Sequence, residues 1–396
     1  MSIDGPAHEP GSDNIYNQIV AKTERQHRLL SVHWELTYRC NEKCTHCYLD
    51  VFSPNANVPG ELTTDKCLRI IDELADLGVL NLTLSGGEIL VRRDFFQIAE
   101  YAHAKRFLLR LFTNGILVKP AIADRIAALH PYAVEISVYS TRPELHDSIT
   151  RVPRSLELTL RALRLLKERG IQTVMKTPLM RKNVREIDDL KALAQDLGAQ
   201  FRYDITITPK DTGGLEPLQH RLTYDDLVWL FRKEIDPALW VNRQMQSDQG
   251  TCGITLNGAS IDPYGNVTTC LQTRAKAGNI RDNPLREIWD KSHVWKEYKL
   301  ALGDLPICRT CEIRNLCVRC HGLAQFEDGD LRAPAMVNCR EALAHRQVLI
   351  ERGDLPADYP IPHHLKAQNK IPILDYQSTL QSVGSVVPIE TLQAYR

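Results

Sequence analysis

Apolar and polar positions follow two different periodicities in the first half of the chain. Runs that are almost wholly apolar predict buried parallel strands, whereas runs with apolar residues three or four apart, such as Leu68, Ile71 and Leu74, predict amphipathic helices. The two kinds of run alternate from Val32 to about residue 207. The strand-type runs are VHWELT, NLTLS, LLRLFT, AVEISVYS, IQTVMKT and FRYDITI.

This alternation predicts an α/β fold made of strand–helix units. Six strand-type runs favour a partial (β/α)6 TIM-like barrel over a doubly wound sheet, although the repeat alone does not separate the two. In a barrel, the chemistry lies at the carboxyl ends of the strands. Segments with candidate chemistry follow the first four predicted strands, at residues 37–47, 85–88, 113–115 and 137–140.

Composition divides the chain further. A polar start with glycine and proline predicts a flexible arm that leads to a short helical stretch at residues 15–24. A proline-rich end with little periodicity predicts an extension. The expected divisions are an N-terminal arm at 1–31, the barrel at 32–215, a bridging segment at 216–250, a cysteine-rich domain at 251–345 and a C-terminal extension at 346–396.

Length and charge limit the classes of partner. The 396 residues, 43% of them hydrophobic, are enough for two or more globular units. Lys plus Arg (49) equals Asp plus Glu (49), so no global field attracts nucleic acid or an anionic membrane. The sequence also lacks an apolar run of about 18 residues and a signal-peptide pattern at its start. We therefore expect a soluble, cytoplasmic protein with no nucleic-acid and no membrane partner.

Eleven cysteines are many for a reducing compartment, where metal binding or redox chemistry is a commoner reason for them than disulfides. They are clustered near the start and in the last third, and residues 68–251 contain none. Cys67 lies on the apolar stripe of a predicted helix and is expected to be a core residue.

The first cluster has the spacing Cys40-x3-Cys44-x2-Cys47, directly after a predicted strand. Three thiolates can hold three irons of a four-iron cluster, and the fourth iron is then open to an exogenous ligand such as the amino acid end of S-adenosylmethionine (SAM). The alternative is a zinc site with His46 as its fourth ligand, since structural zinc prefers four closed ligands.

These residues resemble the cluster motif of the radical SAM superfamily, C-x3-C-x-aromatic-C, with His46 in the aromatic position. The SGGE run at residues 85–88 resembles the superfamily's Gly-Gly-Glu motif, TNG at 113–115 its turn after the third strand, and Ser137 its ribose-contacting position. The resemblance implies a SAM-binding 4Fe-4S cluster on Cys40, Cys44 and Cys47. It also implies SAM contacts from His46, Gly86, Gly87, Glu88, Asn114 and Ser137.

The second cluster of cysteines is similar to the SPASM domain of peptide-modifying radical SAM enzymes. IDPYGNVTTC reproduces its G-x4-C segment, and CRTCEIRNLCVRC most of its following segment, except that the last spacing is x2 instead of x3. The resemblance implies two auxiliary iron-sulfur clusters. The outer one would use Cys308, Cys311, Cys317 and Cys339, and the inner one Cys252, Cys270 and Cys320.

Three cysteines leave a four-iron inner cluster one ligand short. The alternatives are an open iron, a non-cysteine ligand such as His321, and a smaller cluster. A zinc ribbon is the other interpretation of the paired C-x2-C segments.

The resemblance also implies the reaction class. ISVYSTRPELHDSITRVPRS is most similar to the enzymes of pyrroloquinoline quinone, mycofactocin and haem d1 synthesis. We therefore expect reductive cleavage of SAM to a 5'-deoxyadenosyl radical and modification of a ribosomally made precursor peptide by cross-linking, oxidation or backbone excision. The alternatives are a radical SAM enzyme for a small molecule such as a tetrapyrrole, and a non-catalytic iron-sulfur or zinc scaffold.

Further partners follow from the same resemblance. About 30 residues precede the first strand, fewer than a leader-binding domain needs, so a separate leader-recognition protein is expected. A flavodoxin or ferredoxin would supply electrons. Catalytic residues stay unassigned, because each candidate near a strand end is as well explained as a core or salt-bridge residue; these are Tyr139, Lys176, Arg202 and Asp204. His146 and Asp147 are expected to serve helix capping and packing.

Overall fold

The computed structural model describes residues 14–366. The chain forms two compact units. Of the described residues, the first unit contains those up to Leu179, together with Arg185–Thr206 and Gly253–Trp295. The second contains Met180–Val184, Ile207–Cys252 and the described residues from Lys296 onward.

The first unit is built on one open sheet of nine strands in the order β6-β5-β4-β3-β2-β1-β7-β8-β9. The six strands from β1 to β6 are parallel to their neighbours, which confirms the predicted partial barrel. The strands are β1 Ser31–Thr37, β2 Asn81–Gly86, β3 Leu108–Thr113, β4 Ala133–Ser137, β5 Thr173–Pro178, β6 Gln200–Asp204, β7 Gly258–Ile261, β8 Asn266–Thr268 and β9 Lys276–Asn279.

Strands β7 to β9 were not predicted. β7 pairs in parallel with β1, and β8 and β9 extend the sheet in antiparallel register. Each contains three or four residues, and they include Gly, Asn, Thr and Lys, so no apolar run in the sequence predicts these strands. Their formation depends on pairing with β1, which is a tertiary effect.

Helices follow the strands as the periodicity predicts. They are α1 Ile15–Arg25, α2 Thr64–Leu77, α3 Phe95–Ala104, α4 Pro120–Ala128, α5 Pro143–Thr150, α6 Ser155–Lys167, α7 Ile187–Leu197, α8 Tyr224–Glu234, α9 Ile254–Asn257, α10 Leu285–Lys291, α11 Val294–Tyr298, α12 His321–Asp328, α13 Met336–Glu351 and α14 His363–Lys366. Short 3-10 turns occur at Ile89–Val91, Val184–Glu186, Glu216–His220, Pro237–Leu239, Leu302–Asp304, Cys308–Thr310 and Arg314–Leu316.

The core of the first unit lies between the sheet and its helices. Trp34 of β1 and Ile71 and Leu74 of α2 are fully buried, as the apolar stripe predicts. Cys67 belongs to the same core, which confirms its structural role. Burial of such side chains contributes about 1.5–3 kcal/mol each, so the sheet is a firm platform for the loops at its carboxyl edge.

The predicted flanking segments are described in part. Helix α1 confirms the helical stretch in the N-terminal arm, and α8 confirms the helical pattern in the bridging segment. Residues 1–13 of the arm and 367–396 of the C-terminal extension lie outside the described residues. None of the helices within residues 14–366 is long and apolar enough to cross a membrane.

Candidate functional site

The loop after β1 carries the three closely spaced cysteines and is held at its base and in its middle. Cys40 N–H donates to the Phe52 carbonyl, and Phe52 N–H donates to the Tyr38 carbonyl, both at 2.9 Å. Further along, Thr45 N–H donates to the Ile149 carbonyl at the end of α5, also at 2.9 Å. The loop is therefore closed at its base by an isolated bridge between Arg39 and Phe52 and is anchored to helix α5.

The thiols of Cys40, Cys44 and Cys47 influence each other. Burial raises the pKa of Cys40 and Cys44 well above the usual value for a thiol, and the nearby Cys47 raises both pKa values further. The Cys40 and Cys44 thiols are therefore costly to ionise unless a cation compensates. Iron or another thiophilic metal supplies that charge, so the donor set fits an iron-sulfur cluster.

Glu42, inside the motif, is a site residue that sequence reasoning missed. Its carboxyl group is buried and its Oε2 accepts a hydrogen bond from Cys44 Sγ at 3.2 Å. Burial raises the pKa of Glu42 to about 8, and the charges of Glu88 and Asp147 act in the same direction. Acidic residues are common in surface loops, so nothing in the sequence distinguishes Glu42 from an ordinary exposed carboxylate.

The two glycines predicted to contact SAM pack against the cysteine loop. Gly87 N–H donates to the Thr37 carbonyl at 2.8 Å, and Gly86 has a positive φ of 131°. A Cβ at Gly86 would lie 2.3 Å from the Thr37 oxygen, and one at Gly87 would lie 2.4 Å from the Arg39 oxygen. Backbone proximity therefore requires glycine at both positions.

Glu88 is wholly buried and links the second and third strand ends. Its carboxylate accepts from Thr113 Oγ1 at 2.8 Å, from Asn114 N at 2.7 Å and from Leu90 N at 2.9 Å. Burial raises the pKa of Glu88, while these three donors oppose the rise. Asn114 in turn donates from Nδ2 to Asn41 Oδ1, next to Cys40, at 2.7 Å. The three predicted motifs therefore form one hydrogen-bonded group.

Tyr139 places a phenol beside the cysteine loop. Its Oη lies 3.7 Å from Cys44 Sγ, and its ring contacts the ring of His46 at 4.9 Å between centroids. Ser137, two residues earlier, forms a hydrogen bond with Tyr139. His146 Nδ1 accepts the Tyr139 N–H at 3.2 Å. His46 and Ser137 thus both contact Tyr139, which lies beside Cys44 and which the sequence alone did not assign.

Asp147 has the capping role that was expected of it. Its carboxylate accepts from Leu156 N at 3.1 Å and from Ser155 Oγ at 2.8 Å, at the start of α6. A carboxylate at a helix N-terminus satisfies free N–H groups and interacts favourably with the helix dipole.

In the second unit, four cysteines line one cavity. They are the four that the resemblance assigns to an outer auxiliary cluster: Cys308, Cys311, Cys317 and Cys339. Burial raises the pKa of Cys317 and Cys339, and in both cases neighbouring thiols of the set raise it further. A cavity lined by four convergent thiols fits a fully cysteine-ligated cluster.

Four basic side chains also line this cavity, and two of them, Arg319 and His364, contact its thiols. Arg319 forms a hydrogen bond with Cys308, which lowers the pKa of that thiol against the larger effect of burial. Its Nε donates to the Ala333 carbonyl at 2.9 Å. His364 Nε2 lies 3.7 Å from Cys339 Sγ, and this histidine falls in the predicted C-terminal extension. Neither Arg319 nor His364 belongs to a sequence motif that would have predicted its place beside these thiols.

The predicted inner-cluster cysteines divide between the units. Cys252 and Cys320 belong to the second unit and Cys270 to the first, where Thr273 N–H donates to Cys270 Sγ at 3.3 Å. His321, a possible further ligand, has Nε2 at 3.1 Å from Thr251 Oγ1 and contacts Arg319 with Nδ1. Both of its ring nitrogens are therefore occupied. Over residues 14–366, no three His, Cys, Asp or Glu side chains are arranged around a single metal ion.

Known proteins share both parts of this arrangement. Residues 34–194 match the radical SAM superfamily, and residues 252–312 match an iron-sulfur cluster-binding domain, SPASM. The AdoMet-dependent heme synthase of Methanosarcina barkeri is 29% identical in an alignment of 325 positions that covers 75% of this chain and 92% of that protein. The mycofactocin maturase MftC of Mycobacterium tuberculosis is 32% identical over 284 residues, 67% of this chain and 71% of that protein.

The fold is also similar to a solved structure, Streptococcus suis SuiB bound to its precursor peptide SuiA. The TM-score is 0.60 at 15% identity, and the match covers 82% of this chain and 81% of the other. Together, the matched domains and the relatives identify the chain as an enzyme of the radical SAM superfamily that carries a SPASM iron-sulfur domain and belongs among the iron-sulfur, SAM-binding proteins.

Proposed function

We propose that the chain cleaves SAM reductively and uses the resulting radical to modify a ribosomally made precursor peptide. The observation that carries the proposal is the group of three thiols, Cys40, Cys44 and Cys47, on a loop anchored by Phe52 and Ile149. Three thiols match a cluster with one open iron, whereas a purely structural site prefers four protein ligands.

In this proposal Cys40, Cys44 and Cys47 hold the cluster as thiolates. When bound and reduced, a four-iron cluster supplies one electron to SAM, whose carbon-sulfur bond breaks to give methionine and a 5'-deoxyadenosyl radical. The chain's own contribution is to bind and orient. Glu88 fixes the Asn114 turn against Asn41, so the second and third strand ends and the cysteine loop keep one arrangement.

The Tyr139 and His46 rings cover one side of the cysteine loop. Tyr139 is buried, and its phenol contacts Cys44. Buried aromatic side chains exclude water, and water exclusion protects a reactive radical from side reactions. SAM contacts from His46, Gly86, Gly87, Glu88, Asn114 and Ser137 remain part of the proposal. For the two glycines and Glu88, positioning of the loop backbone is the role that the contacts favour.

In the second unit we propose an outer auxiliary cluster on Cys308, Cys311, Cys317 and Cys339, supported by their shared cavity. An inner cluster on Cys252, Cys270 and Cys320 is the further part of the proposal. Auxiliary clusters suit oxidative chemistry, because they can accept an electron from a substrate radical. A flavodoxin- or ferredoxin-type donor and a separate leader-recognition protein remain expectations of the family resemblance.

A peptide substrate is favoured by the similarity to the maturase MftC and by the SuiB fold, whose solved complex contains a precursor peptide. The second candidate is a small molecule such as a tetrapyrrole. It is supported by the similarity to a heme synthase over 92% of that protein's length.

The test is anaerobic. The protein is reconstituted with iron and sulfide and given SAM and dithionite, and 5'-deoxyadenosine is measured by mass spectrometry. We expect product from the wild type and from Cys67→Ala, whose cysteine is a core residue, and none from the triple variant Cys40→Ala, Cys44→Ala, Cys47→Ala. Lack of product from fully iron-loaded wild type would contradict the proposal.

The substrate class is then tested separately. Candidate precursor peptides and porphyrins are added to the active enzyme, and mass changes are sought in each. A change in a peptide supports the first candidate, and a change in a free porphyrin without any peptide supports the second.

A further inference from the structure

Four charged side chains meet on one face of the sheet, on strands β3 to β6. Glu135 of β4 forms ion pairs with Arg110 of β3, with Lys176 of β5 and with Arg202 of β6. Lys176 Nζ lies 3.5 Å and Arg202 Nη1 3.9 Å from the Glu135 carboxylate. We call these four residues the cationic cluster.

The cationic cluster has more positive than negative charge. Glu135 and Arg110 are buried and in direct contact, so they largely neutralise each other. The side chains of Lys176 and Arg202 are 37% and 31% exposed and reach the same carboxylate over longer distances. Because three cations share one carboxylate, the cationic cluster keeps a net positive charge, and the exposed parts of Lys176 and Arg202 can bind another anion.

Strand register makes this arrangement unfavourable without a ligand. Lys176 and Arg202 are direct partners in the β5–β6 ladder. Like charges directly opposite each other destabilise a pair of strands. A single carboxylate, already paired with Arg110, only partly relieves the repulsion. A second anion bound between the two cations would relieve it further.

Aromatic rings support the exposed side of the cluster. Lys176 Nζ lies 4.5 Å from the centroid of the Phe112 ring, and the His33 ring packs against Phe112 in a T-shaped arrangement with 5.5 Å between centroids. A cation–π contact fixes the ammonium without consuming its charge. Lys176 is therefore held in place and can still accept a ligand.

The cationic cluster lies on the face of the sheet to which Ser137 and Tyr139, next to the cysteine loop, also belong. Glu135, Ser137 and Tyr139 alternate along β4 and its continuation, so they point to the same face. Ser137 is the register partner of Lys176, and Tyr139 contacts Cys44. Two residues of a strand span about 6.6 Å, so Glu135 is on the order of 13 Å from Tyr139 along the chain. An extended peptide of about four residues, at about 3.3 Å per residue, spans that distance.

We infer that Lys176 and Arg202 bind a carboxylate group of the substrate and thereby place the substrate against the cysteine loop. The inference rests on the proposed function. In a peptide, the carboxylate is an acidic side chain or the C-terminus; in a tetrapyrrole, it is a propionate. Arg110 and Glu135 are positioning residues that fix the two binding cations.

Saturation-transfer difference NMR on the full-length holoenzyme tests this inference, with glutarate as the probe and uncharged glutaramide as its control. We expect a saturable signal from glutarate that is stronger than that from glutaramide. The double variant Lys176→Met, Arg202→Met should weaken glutarate binding by about tenfold or more, because each lost charged contact is worth at least about 1.4 kcal/mol. Lys176→Arg, which keeps the charge, should retain binding.

The matched control is Lys167→Met, the same substitution at an exposed lysine in α6. It should bind glutarate as the wild type does. If the double variant loses its native circular dichroism spectrum, Lys176→Met alone gives the same comparison, because this side chain is the more exposed of the two. Equal binding of glutarate and glutaramide, or unchanged glutarate binding in the variants, would overturn the inference.

Further arms identify the source of the carboxylate. Ac-Ala-Glu-Tyr-NH2 is compared with Ac-Ala-Gln-Tyr-NH2 for a side chain, Ac-Ala-Gln-Tyr-OH with its amide for a C-terminus, and protoporphyrin IX with its dimethyl ester for a propionate. Binding of at least one acid above its neutral partner supports the inference, and binding of none contradicts it. SAM cleavage is measured on the same samples, so a failure of the proposed function is visible apart from a failure of carboxylate binding.

Discussion

Tyr48 donates its phenolic hydrogen to Glu35, with 2.7 Å between the two oxygens. Glu35 is buried in β1, and its other carboxylate oxygen accepts from Tyr38 at 3.0 Å and from Arg274 at 3.3 Å. Tyr38 precedes Cys40, and Tyr48 follows Cys47. One carboxylate therefore ties together both ends of the loop that bears the three thiols.

Replacement of Glu35 by Gln should loosen that loop. The amide keeps the shape but loses the charge that pairs with Arg274, and it leaves one acceptor where there were two. We expect a loss of about 1–3 kcal/mol in the free energy of unfolding and a lower iron content after reconstitution. Urea denaturation and iron analysis measure the two effects.

Glu100→Gln is the matched control, because Glu100 forms an exposed ion pair with Arg125 on the surface. Such pairs contribute about 0–1 kcal/mol, so stability and iron content should stay near those of the wild type. Equal effects of the two substitutions would show that Glu35 has no special role in the loop.

Gly87→Ala should disturb the same loop through a steric clash with its backbone. The added Cβ would lie 2.4 Å from the Arg39 carbonyl oxygen, and a backbone atom cannot move away cheaply. Overpacking of this kind costs about 1–3 kcal/mol or more, and we expect the loss to appear both in stability and in iron uptake. Thermal denaturation and the visible absorbance of the cluster are the measurements.

Gly250→Ala provides the comparison. A Cβ at Gly250 would have no heavy atom within 4 Å, so this variant should remain as stable as the wild type. Stability of Gly87→Ala equal to that of Gly250→Ala would mean that close approach is not what requires glycine in the SGGE run.

Much of the fold is predictable from the sequence because its signals are local. The helix stripe with Ile71 and Leu74 and the apolar strand runs each span enough residues to establish a period. Strands β7 to β9 lack such a signal, and they form only because β1 offers an edge for pairing. Local periodicity contains no information about that edge.

The candidate site divides in the same way. Cysteine spacing is a local signal, and it is enough by itself to group Cys40, Cys44 and Cys47. The proximity of Glu42 to Cys44, of Tyr139 to Cys44 and of Arg319 to Cys308 arises from packing. The sequence also suggests direct SAM contacts for the SGGE and TNG motifs, but it does not reveal that these motifs bond to each other.

His146 should make stability fall in mild acid. It is fully buried, and burial lowers its pKa from 6.5 to about 4, partly opposed by the charge of Asp147. The unfolded chain therefore takes up a proton near pH 6.5, where the folded chain does not. Stability should decrease as the pH falls from about 6.5 to about 4, by at most about 3 kcal/mol from this residue, and then level off.

The variant His146→Asn can still accept the Tyr139 N–H but does not titrate. Urea denaturation of the metal-free protein at pH 7 and pH 5 should show a smaller difference for this variant than for the wild type. His103→Asn, at an exposed position of α3, should keep the wild-type difference. A pH dependence that is identical in all three proteins would exclude His146 as a source of acid sensitivity.

Arg319 should raise the reduction potential of the proposed outer auxiliary cluster. Its guanidinium is buried, held by the Ala333 carbonyl and by His321, and bonded to Cys308. A fixed positive charge favours the reduced, more negative state of a cluster. Arg319→Gln removes that charge, and we expect the midpoint potential to fall by on the order of 60 mV, which corresponds to about 1.4 kcal/mol for one electron.

The measurement is a redox titration followed by electron paramagnetic resonance, in a background of Cys40→Ala, Cys44→Ala and Cys47→Ala that retains only auxiliary signals. Arg332→Gln, which removes an exposed arginine in the same unit, is the control for net charge and should leave the potential nearly unchanged. A potential that rises in Arg319→Gln, or that shifts equally in both variants, would contradict the role of Arg319. The potential is measured in protein that cannot cleave SAM, so it does not depend on enzyme activity. If Arg319 had only a structural role, Arg319→Gln would lose iron, and the potential of the remaining cluster would be unchanged.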